Sequence, residues 1–229
     1  MQIGAIQKFS MIDYQDKICA IIFTEGCNFR CPYCHNPELI EDSGNKIRPT
    51  KSEIIDFLKT RIGKLDAVSI TGGEPTIHSD LPDFIREIRN MGFLIKLDTN
   101  GTNPKMIEFL IKDKLINYFA MDIKAPLEKY EIITNLPVDT NKIKKSIELI
   151  KDSGIDYEFR TTIVDMILDV EDILQIKRLL GNVKSYYLQD FVSTKTLDKS
   201  FNNYSTFSED KKMVLIDKFN KSDINFAVR

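Results

Sequence analysis

The chain has 229 residues, of which 42% are hydrophobic, and this is enough for one α/β domain with a sizeable buried core. Its 32 basic and 34 acidic residues give a net charge of −2, and no run of like charges suggests a nucleic-acid arm or a polybasic membrane patch. The N-terminus lacks a signal-peptide pattern, and the longest apolar run, ICAIIF, is too short to span a membrane. We therefore expect a single domain, residues 1–229, in the cytoplasm, with neither nucleic acid nor membrane as a partner.

Six short apolar segments, each followed by a helical pattern, predict a repeated order of strand and helix. In chain order they are KICAIIFT, AVSIT, LIKLDT, YFAMDIK, YEFRTTIV and SYYLQDF. Helix boundaries are predicted by a capping box at Thr50 and Glu53, by Asn103 before Pro104, and by Gly92, Gly154 and Gly181. Such alternation predicts parallel strands joined by helical crossovers. Six units predict a partial (β/α)6 TIM-like barrel, in which functional residues gather at the C-terminal ends of the strands.

Polar residues and one pair of glycines stand at or near the ends of these predicted strands. They are Gly72, Gly73 and Glu74 after the second, Asp98 and Thr99 in the third, Asp122 and Lys124 in the fourth, Arg160 in the fifth and Gln189 in the sixth. Charges in apolar strands are costly to bury unless they are paired or face a polar site. We expect a shared site at one end of the barrel. The alternative is a structural ion-pair network, because such networks also occur without catalysis.

Three of the four cysteines lie in one short segment, TEGCNFRCPYCHNPEL. Cys27, Cys31 and Cys34 have the spacing Cys-x3-Cys-x2-Cys, which suits three corners of an iron–sulfur cube and leaves one iron without a protein ligand. Structural zinc is the alternative, but it usually requires four ligands. His35 could supply the fourth, yet it directly follows Cys34, and adjacent side chains tend to point apart. Cys19 lies within the first strand and is expected to be a buried core residue rather than a ligand.

The string GCNFRCPYCHNPEL, with Tyr33 before its last cysteine, resembles the cluster loop of radical S-adenosylmethionine enzymes. Within that superfamily it is similar to the activating proteins of glycyl radical enzymes, and most similar to those of anaerobic ribonucleoside-triphosphate reductases. The resemblance runs from about Gly4 through the fifth strand and includes GGEP, DTNG and MDIKAP. The loop is a specific signal, whereas GGEP alone would be a weak one.

The resemblance implies that Cys27, Cys31 and Cys34 hold a [4Fe–4S] cluster whose open iron binds S-adenosylmethionine. The cofactor-binding residues that it implies are Tyr33, Gly72, Gly73, Glu74, Asp98, Thr99, Asp122, Lys124, Arg160 and Gln189. Three of these positions, Asp98, Thr99 and Asp122, surround a monovalent cation in some relatives, so a cation site is also implied.

The same resemblance implies a reaction and its partners. An electron from reduced flavodoxin or ferredoxin enters through the cluster, the sulfur–C5′ bond of S-adenosylmethionine breaks, and a 5′-deoxyadenosyl radical takes hydrogen from a glycine Cα of a partner enzyme. The expected partner is anaerobic ribonucleoside-triphosphate reductase, and the alternative is pyruvate formate-lyase or another glycyl radical enzyme.

Two positions depart from the family pattern. Gln15 and Asp16 stand where relatives commonly have Pro-Gly, so the sequence does not predict the shape of that turn. Gln189 and Phe191 lie in the sixth strand, where the pyruvate formate-lyase branch carries a histidine. The second departure favours the reductase as partner.

Overall fold

Eight strands form one sheet in the computed structural model, which describes residues 1–40, 47–220 and 223–229. They are β1 (Ile3–Ser10), β2 (Cys19–Thr24), β3 (Ala67–Gly72), β4 (Leu94–Thr99), β5 (Tyr118–Asp122), β6 (Asp156–Ile163), β7 (Ser185–Asp190) and β8 (Asn225–Val228). The strands lie side by side in chain order, with β1 antiparallel to β2 and every later pair parallel. β1 and β8 are the two edges, so the barrel is open along one side.

The helices follow the strands as expected. They are α1 (Lys51–Lys59), α2 (Leu81–Asn90), α3 (Pro104–Lys112), α4 (Tyr130–Thr134), α5 (Thr140–Asp152), α6 (Val170–Leu180) and α7 (Glu209–Phe219). Six strand-and-helix units run from β2 to α7, which confirms the predicted partial (β/α)6 barrel. None of the helices in the described residues has the length and apolar character needed to cross a membrane.

The predicted helix boundaries are also present. Thr50 and Glu53 form both bonds of the capping box at α1, and the Asn103 side chain accepts a hydrogen bond from the Met106 N–H at the start of α3. The glycines predicted to end α2, α5 and α6 adopt positive φ angles: Gly92, Gly154 and Gly181.

Sequence reasoning missed β1 and β8, the two edge strands. β1 has two breaks in its register with β2, and most of its residues are half-buried or exposed. β8 has only four residues, none of them fully buried. Because an edge strand that buries little surface needs no regular apolar alternation, neither segment has the pattern by which strands are recognised.

The two faces of the barrel strands differ in chemistry. In β4, Ile95 and Leu97 are fully buried in the main apolar core. Lys96 and Asp98 alternate with them along the strand and point to the other face, where they pair with charged groups. Successive side chains of a strand alternate between faces. The helices therefore cover an aliphatic layer, while the inside of the barrel carries buried charges.

The turn at Gln15 and Asp16 is closed by a hydrogen bond from the Lys17 N–H to the Tyr14 carbonyl (3.1 Å). Asp16 has φ +58° and thus adopts the left-handed conformation that favours glycine. Aspartate tolerates this conformation better than most residues. The departure from Pro-Gly therefore still permits a tight turn here.

Candidate functional site

A cavity, partly open to solvent, lies at the C-terminal ends of the parallel strands, and its empty space of about 890 Å³ includes the open mouth. The predicted site residues that line it are Cys27, Cys31, Tyr33, Cys34, Gly72, Gly73, Glu74, Asp98, Thr99, Asp122, Lys124 and Gln189. Arg160 is the predicted residue that does not line it. The structure thus brings the cysteine loop and the polar strand ends to the wall of one cavity.

The cysteine loop follows β2, and its backbone is held by hydrogen bonds that leave the thiols available. The Arg30 guanidinium donates to the carbonyls of Cys27 (2.6 Å) and Phe29 (2.8 Å), while the Arg30 N–H donates to the carbonyl of Thr134 (2.8 Å). The Cys34 N–H donates to the Cys31 carbonyl (3.0 Å), which closes a tight turn between the last two thiols. The Arg30 side chain, the carbonyl of Thr134 and the turn at Cys31 together hold the loop in this shape.

The donor set fits an iron–sulfur cluster. Three soft thiols share the wall of one cavity, and in the described residues no three His, Cys, Asp or Glu side chains converge on the geometry of a single metal ion. Burial raises the pKa of Cys27 to about 12 and that of Cys31 to about 11. These thiols therefore keep their protons at neutral pH until a metal cation displaces them.

The histidine next to the last thiol is engaged elsewhere. The His35 Nε2 lies 2.8 Å from the Val192 carbonyl, and its ring stacks on Phe191 with 5.6 Å between centroids. Cys19 is also apart from the cavity, fully buried in a small cluster with Tyr14, Ile21 and Ala67. Neither residue is placed as a fourth ligand.

Gly72 and Gly73 allow the loop after β3 to pack directly on the backbone of the cysteine loop. Gly72 has φ +118°, and a Cβ there would overlap the backbone of Thr24; a Cβ on Gly73 would overlap the carbonyl of Gly26. The Gly73 N–H donates to Thr24 (2.9 Å), and the N–H of Glu74 donates to Gly26 (2.8 Å). The two glycines therefore allow these two loops to pack closely, as well as allowing any close approach of a cofactor.

We expect Gly73→Ala to displace the cysteine loop, because the obstructing atoms are backbone and cannot rotate away. The free energy of unfolding should fall by about 1–3 kcal/mol, as for other overpacked sites, and the iron bound after anaerobic reconstitution should fall by more than half. Gly63→Ala is the control, because its added Cβ meets no atom within 4 Å; any cost there comes from its positive φ of +73° and not from overlap. Normal iron content in Gly73→Ala would show that the packing of these loops does not set the thiol positions.

Glu74 braces two loops at the wall of the cavity. Its carboxylate accepts hydrogen bonds from the N–H of Thr76 (3.0 Å), the hydroxyl of Thr99 (2.7 Å) and the N–H of Asn100 (2.6 Å). Burial raises the pKa of the carboxyl even though these donors oppose the shift. The sequence resemblance implies that Glu74 binds the cofactor, and the structure adds this role in holding the loops after β3 and β4.

Asp98 and Asp122 lie beneath the cavity in a chain of ion pairs. The Arg160 guanidinium joins them, at 3.1 Å from Asp98 and 2.8 Å from Asp122. Lys124 pairs with the second oxygen of Asp122 (2.9 Å), and Lys96 pairs with the second oxygen of Asp98 (2.8 Å). Arg160 is thus placed to hold the two carboxylates rather than to line the cavity.

The neighbouring basic side chains determine the ionisation of both carboxyls. Burial alone would raise the pKa of Asp122, but the Arg160 guanidinium and the Lys124 ammonium outweigh it and hold this pKa well below its usual range. Asp98 is shifted downward in the same way by Arg160 and Lys96. Both carboxyls are therefore anionic at neutral pH.

Tyr33 and Gln189 also line the cavity. The hydroxyl of Tyr33 is buried and has no hydrogen-bond partner among the described residues, and burial raises its pKa well above the usual value, so it keeps its proton. Gln189 is half-buried on β7. The lining residues that sequence reasoning missed are Phe29, His35, Asn36, Ile40, Thr71, Asn100 and Thr162. Strand alternation could have found Thr162, two residues after Arg160 on the same face of β6.

Comparison with known proteins agrees with this geometry. Residues 21–180 match the model of the radical SAM superfamily. A Methanocaldococcus jannaschii protein named as a glycyl-radical enzyme activating enzyme is 40% identical over 207 residues, which cover 87% of this chain and 83% of that protein. The chain therefore belongs to the radical SAM superfamily. It is an enzyme, its cofactors are a [4Fe–4S] cluster and S-adenosylmethionine, and the zinc-binding alternative is set aside.

Solved structures support the fold. SuiB of Streptococcus suis superposes with a TM-score of 0.68 at 15% identity, covering 91% of this chain and 48% of SuiB. A domain of the pyruvate-formate lyase-activating enzyme of Bacteroides vulgatus superposes with a TM-score of 0.58 at 16% identity, covering 71% of this chain and 98% of that domain. This chain spans about half the length of SuiB. At such identities the likeness concerns the fold alone.

Proposed function

We propose that this enzyme activates a glycyl radical enzyme, and that the partner is anaerobic ribonucleoside-triphosphate reductase. The three-thiol loop in a cavity with polar strand ends supports the radical chemistry, and the 40% identity to a protein named as a glycyl-radical enzyme activating enzyme supports this type of substrate. The choice of the reductase rests on the loop GCNFRCPYCHNPEL and on Gln189 in β7. The choice of the reductase over other glycyl radical enzymes is thus supported by sequence resemblance.

The residues of the cavity divide into two proposed roles. Cys27, Cys31 and Cys34 hold three corners of the cluster and leave one iron for S-adenosylmethionine. When bound, the reduced cluster would supply one electron to S-adenosylmethionine, which would break into methionine and a primary carbon radical able to take a hydrogen atom from the partner's glycine. Lys124 and Tyr33 both line the cavity, and their proposed role is to donate hydrogen bonds to the bound cofactor.

The cavity must also exclude water during the reaction. The floor formed by Asp98, Asp122 and Arg160 has its charges paired internally, which reduces its need for water. The mouth is partly open, and we propose that the glycine-bearing loop of the partner closes it. Reduced flavodoxin or ferredoxin is the proposed electron donor, and the cytoplasm is the proposed compartment because free thiols persist there.

Incubation of the reduced protein with S-adenosylmethionine and the reductase of its organism should produce a glycyl radical doublet in electron paramagnetic resonance. With the reductase deuterated at glycine, the deuterium should appear in 5′-deoxyadenosine, because the carbon radical takes that atom directly. The control is the reductase with its radical-bearing glycine replaced by alanine, which should give no doublet.

Two results would contradict the proposal at different levels. If another glycyl radical enzyme, such as pyruvate formate-lyase, gains the doublet while the reductase does not, the partner is wrong but the chemistry stands. If S-adenosylmethionine is cleaved and none of the organism's glycyl radical enzymes gains a radical, the activating function itself is wrong.

A further inference from the structure

The family resemblance implies a monovalent cation among Asp98, Thr99 and Asp122, and the structure shows these groups already engaged by the protein. Each of the four carboxylate oxygens of Asp98 and Asp122 lies within 3.1 Å of a nitrogen of a basic side chain. The Thr99 hydroxyl donates to Glu74 (2.7 Å) and accepts from the N–H of Gly101 (3.1 Å). These residues do not fit an added cation.

Lys96 lies against the Oδ1 atom of Asp98. Its Nζ is 2.8 Å from that oxygen, which makes an ion pair although the angles do not make a hydrogen bond, and its side chain is only 2% exposed. The other Asp98 oxygen is taken by Arg160 and by the hydroxyl of Thr71. Lys96 comes two residues before Asp98 on β4, so strand alternation directs both side chains to the inside of the barrel. An ammonium group and a Na⁺ or K⁺ ion carry the same charge and both bind carboxylate oxygens.

The local charge balance also disfavours an additional cation. Lys96 pairs with Asp13 (3.3 Å) as well as with Asp98, and Arg160 pairs with Glu158 (3.7 Å) as well as with the two aspartates. With Lys124 on Asp122 and Arg229 on Glu158 (3.3 Å), the network holds four basic and four acidic side chains among the described residues. An added cation would therefore leave an uncompensated positive charge in a region shielded from solvent.

We propose that Lys96 is a built-in replacement for the monovalent cation, so that S-adenosylmethionine binding by this chain requires neither Na⁺ nor K⁺. Lys96 is a positioning residue, since it acts on the cofactor through Asp98. This inference rests on the superfamily and its cofactors and is independent of which enzyme is the partner.

The test measures S-adenosylmethionine binding to the reconstituted full chain by equilibrium dialysis, in choline, sodium and potassium chloride at equal ionic strength. The dissociation constant of the wild type should differ by less than about twofold among the three salts. Lys96→Ala should weaken binding about tenfold or more in choline, because Asp98 is left with one uncompensated oxygen. Na⁺ or K⁺ should restore much of that loss, since the shortened side chain leaves room for an ion.

Two control variants separate this role from general stability. Lys96→Met removes the charge but fills the space, so it should weaken binding without rescue by either ion. Lys129→Ala removes a lysine from another buried carboxylate, Asp172 (2.7 Å), and should leave binding and its salt response unchanged. Thermal unfolding gives a readout that is independent of the cofactor. The midpoint of Lys96→Ala should be higher in Na⁺ or K⁺ than in choline, because the ion binds the folded state.

Two outcomes would overturn the inference. One is a wild type that binds S-adenosylmethionine about tenfold more tightly in K⁺ or Na⁺ than in choline. The other is a Lys96→Ala variant whose binding is weakened equally in all three salts, which would make Lys96 a structural residue only. If Lys96→Ala does not fold, the wild-type salt series still decides the first outcome.

Discussion

Replacing Cys27, Cys31 or Cys34 by alanine will remove most of the visible absorbance and most of the iron after anaerobic reconstitution. Each of these thiols lines the cavity and is the proposed ligand of one corner of the cluster. Loss of one leaves two irons without a protein ligand, and such an open cluster decays readily. The expected loss of S-adenosylmethionine cleavage is nearly complete, because the electron then has no route to the cofactor.

Cys19→Ala is the matched control for these variants, since it also removes a buried thiol. Cys19 packs with Tyr14, Ile21 and Ala67 inside the barrel and does not line the cavity. Iron content and cleavage should therefore stay near wild-type values, with a modest loss of stability of about 1 kcal/mol from the space left behind. If Cys19→Ala lost as much iron as the other three variants, Cys19 would have to be counted as a ligand.

Arg160→Met will destabilise the protein and weaken S-adenosylmethionine binding while keeping the cluster thiols intact. The guanidinium bridges Asp98 and Asp122, and its side chain is only 12% exposed. Removing one partner from a buried ion network costs about 3–5 kcal/mol of folding free energy, because the remaining charges are left uncompensated. The two carboxylates would then repel the carboxylate of the cofactor, so we expect its dissociation constant to rise about tenfold or more.

Arg86→Met is the control, because Arg86 also bridges two aspartates, Asp83 and Asp113, each at 2.6 Å, but on the surface. Exposed pairs contribute about 0–1 kcal/mol, so this variant should unfold near the wild-type denaturant midpoint. Denaturant unfolding and equilibrium dialysis measure the two effects. Binding by Arg160→Met equal to that of the wild type would mean that the network supports the fold without tuning the cofactor site.

The stability deficit of Arg160→Met should depend on pH. In the wild type the pKa values of Asp98 and Asp122 are lowered, so their stabilising contribution is complete above the unfolded pKa of about 4 and is lost as the pH falls below it. Without Arg160 only Lys96 and Lys124 oppose the effect of burial, so both folded-state pKa values should lie higher than in the wild type. The variant therefore has less of this contribution to lose, and its stability deficit should shrink as the pH falls through about 4.

Sequence reasoning could predict the barrel strands and most of the cavity because each strand end carries an unusual residue. Asp98, Asp122 and Arg160 are charges within apolar segments, and parallel strands must bring their C-terminal ends together. The sequence could not predict how these charges pair. It placed Arg160 against the cofactor, whereas the structure places it between two carboxylates outside the lining of the cavity.

Other contacts depend on distances that no local pattern encodes. Lys96 reads as an ordinary polar residue of a half-buried strand, and only the register of β4 with its neighbours shows that it is buried against Asp98. The overlap that a Cβ on Gly73 would make with Gly26 joins loops 47 residues apart. Glycine spacing predicts a turn, but which backbone lies against that turn is a property of the assembled barrel.

The charged interior of the barrel also determines how this sequence can change in evolution. In an aliphatic barrel, inward residues can be exchanged one at a time as long as volume is kept. Here the inward side chains neutralise one another, so a single substitution at Lys96, Asp98 or Arg160 leaves a buried charge without its counterpart. Viable descendants should therefore change these positions in compensating pairs, and a homologue that lacks the lysine at position 96 should either have lost an acidic neighbour or have become dependent on salt.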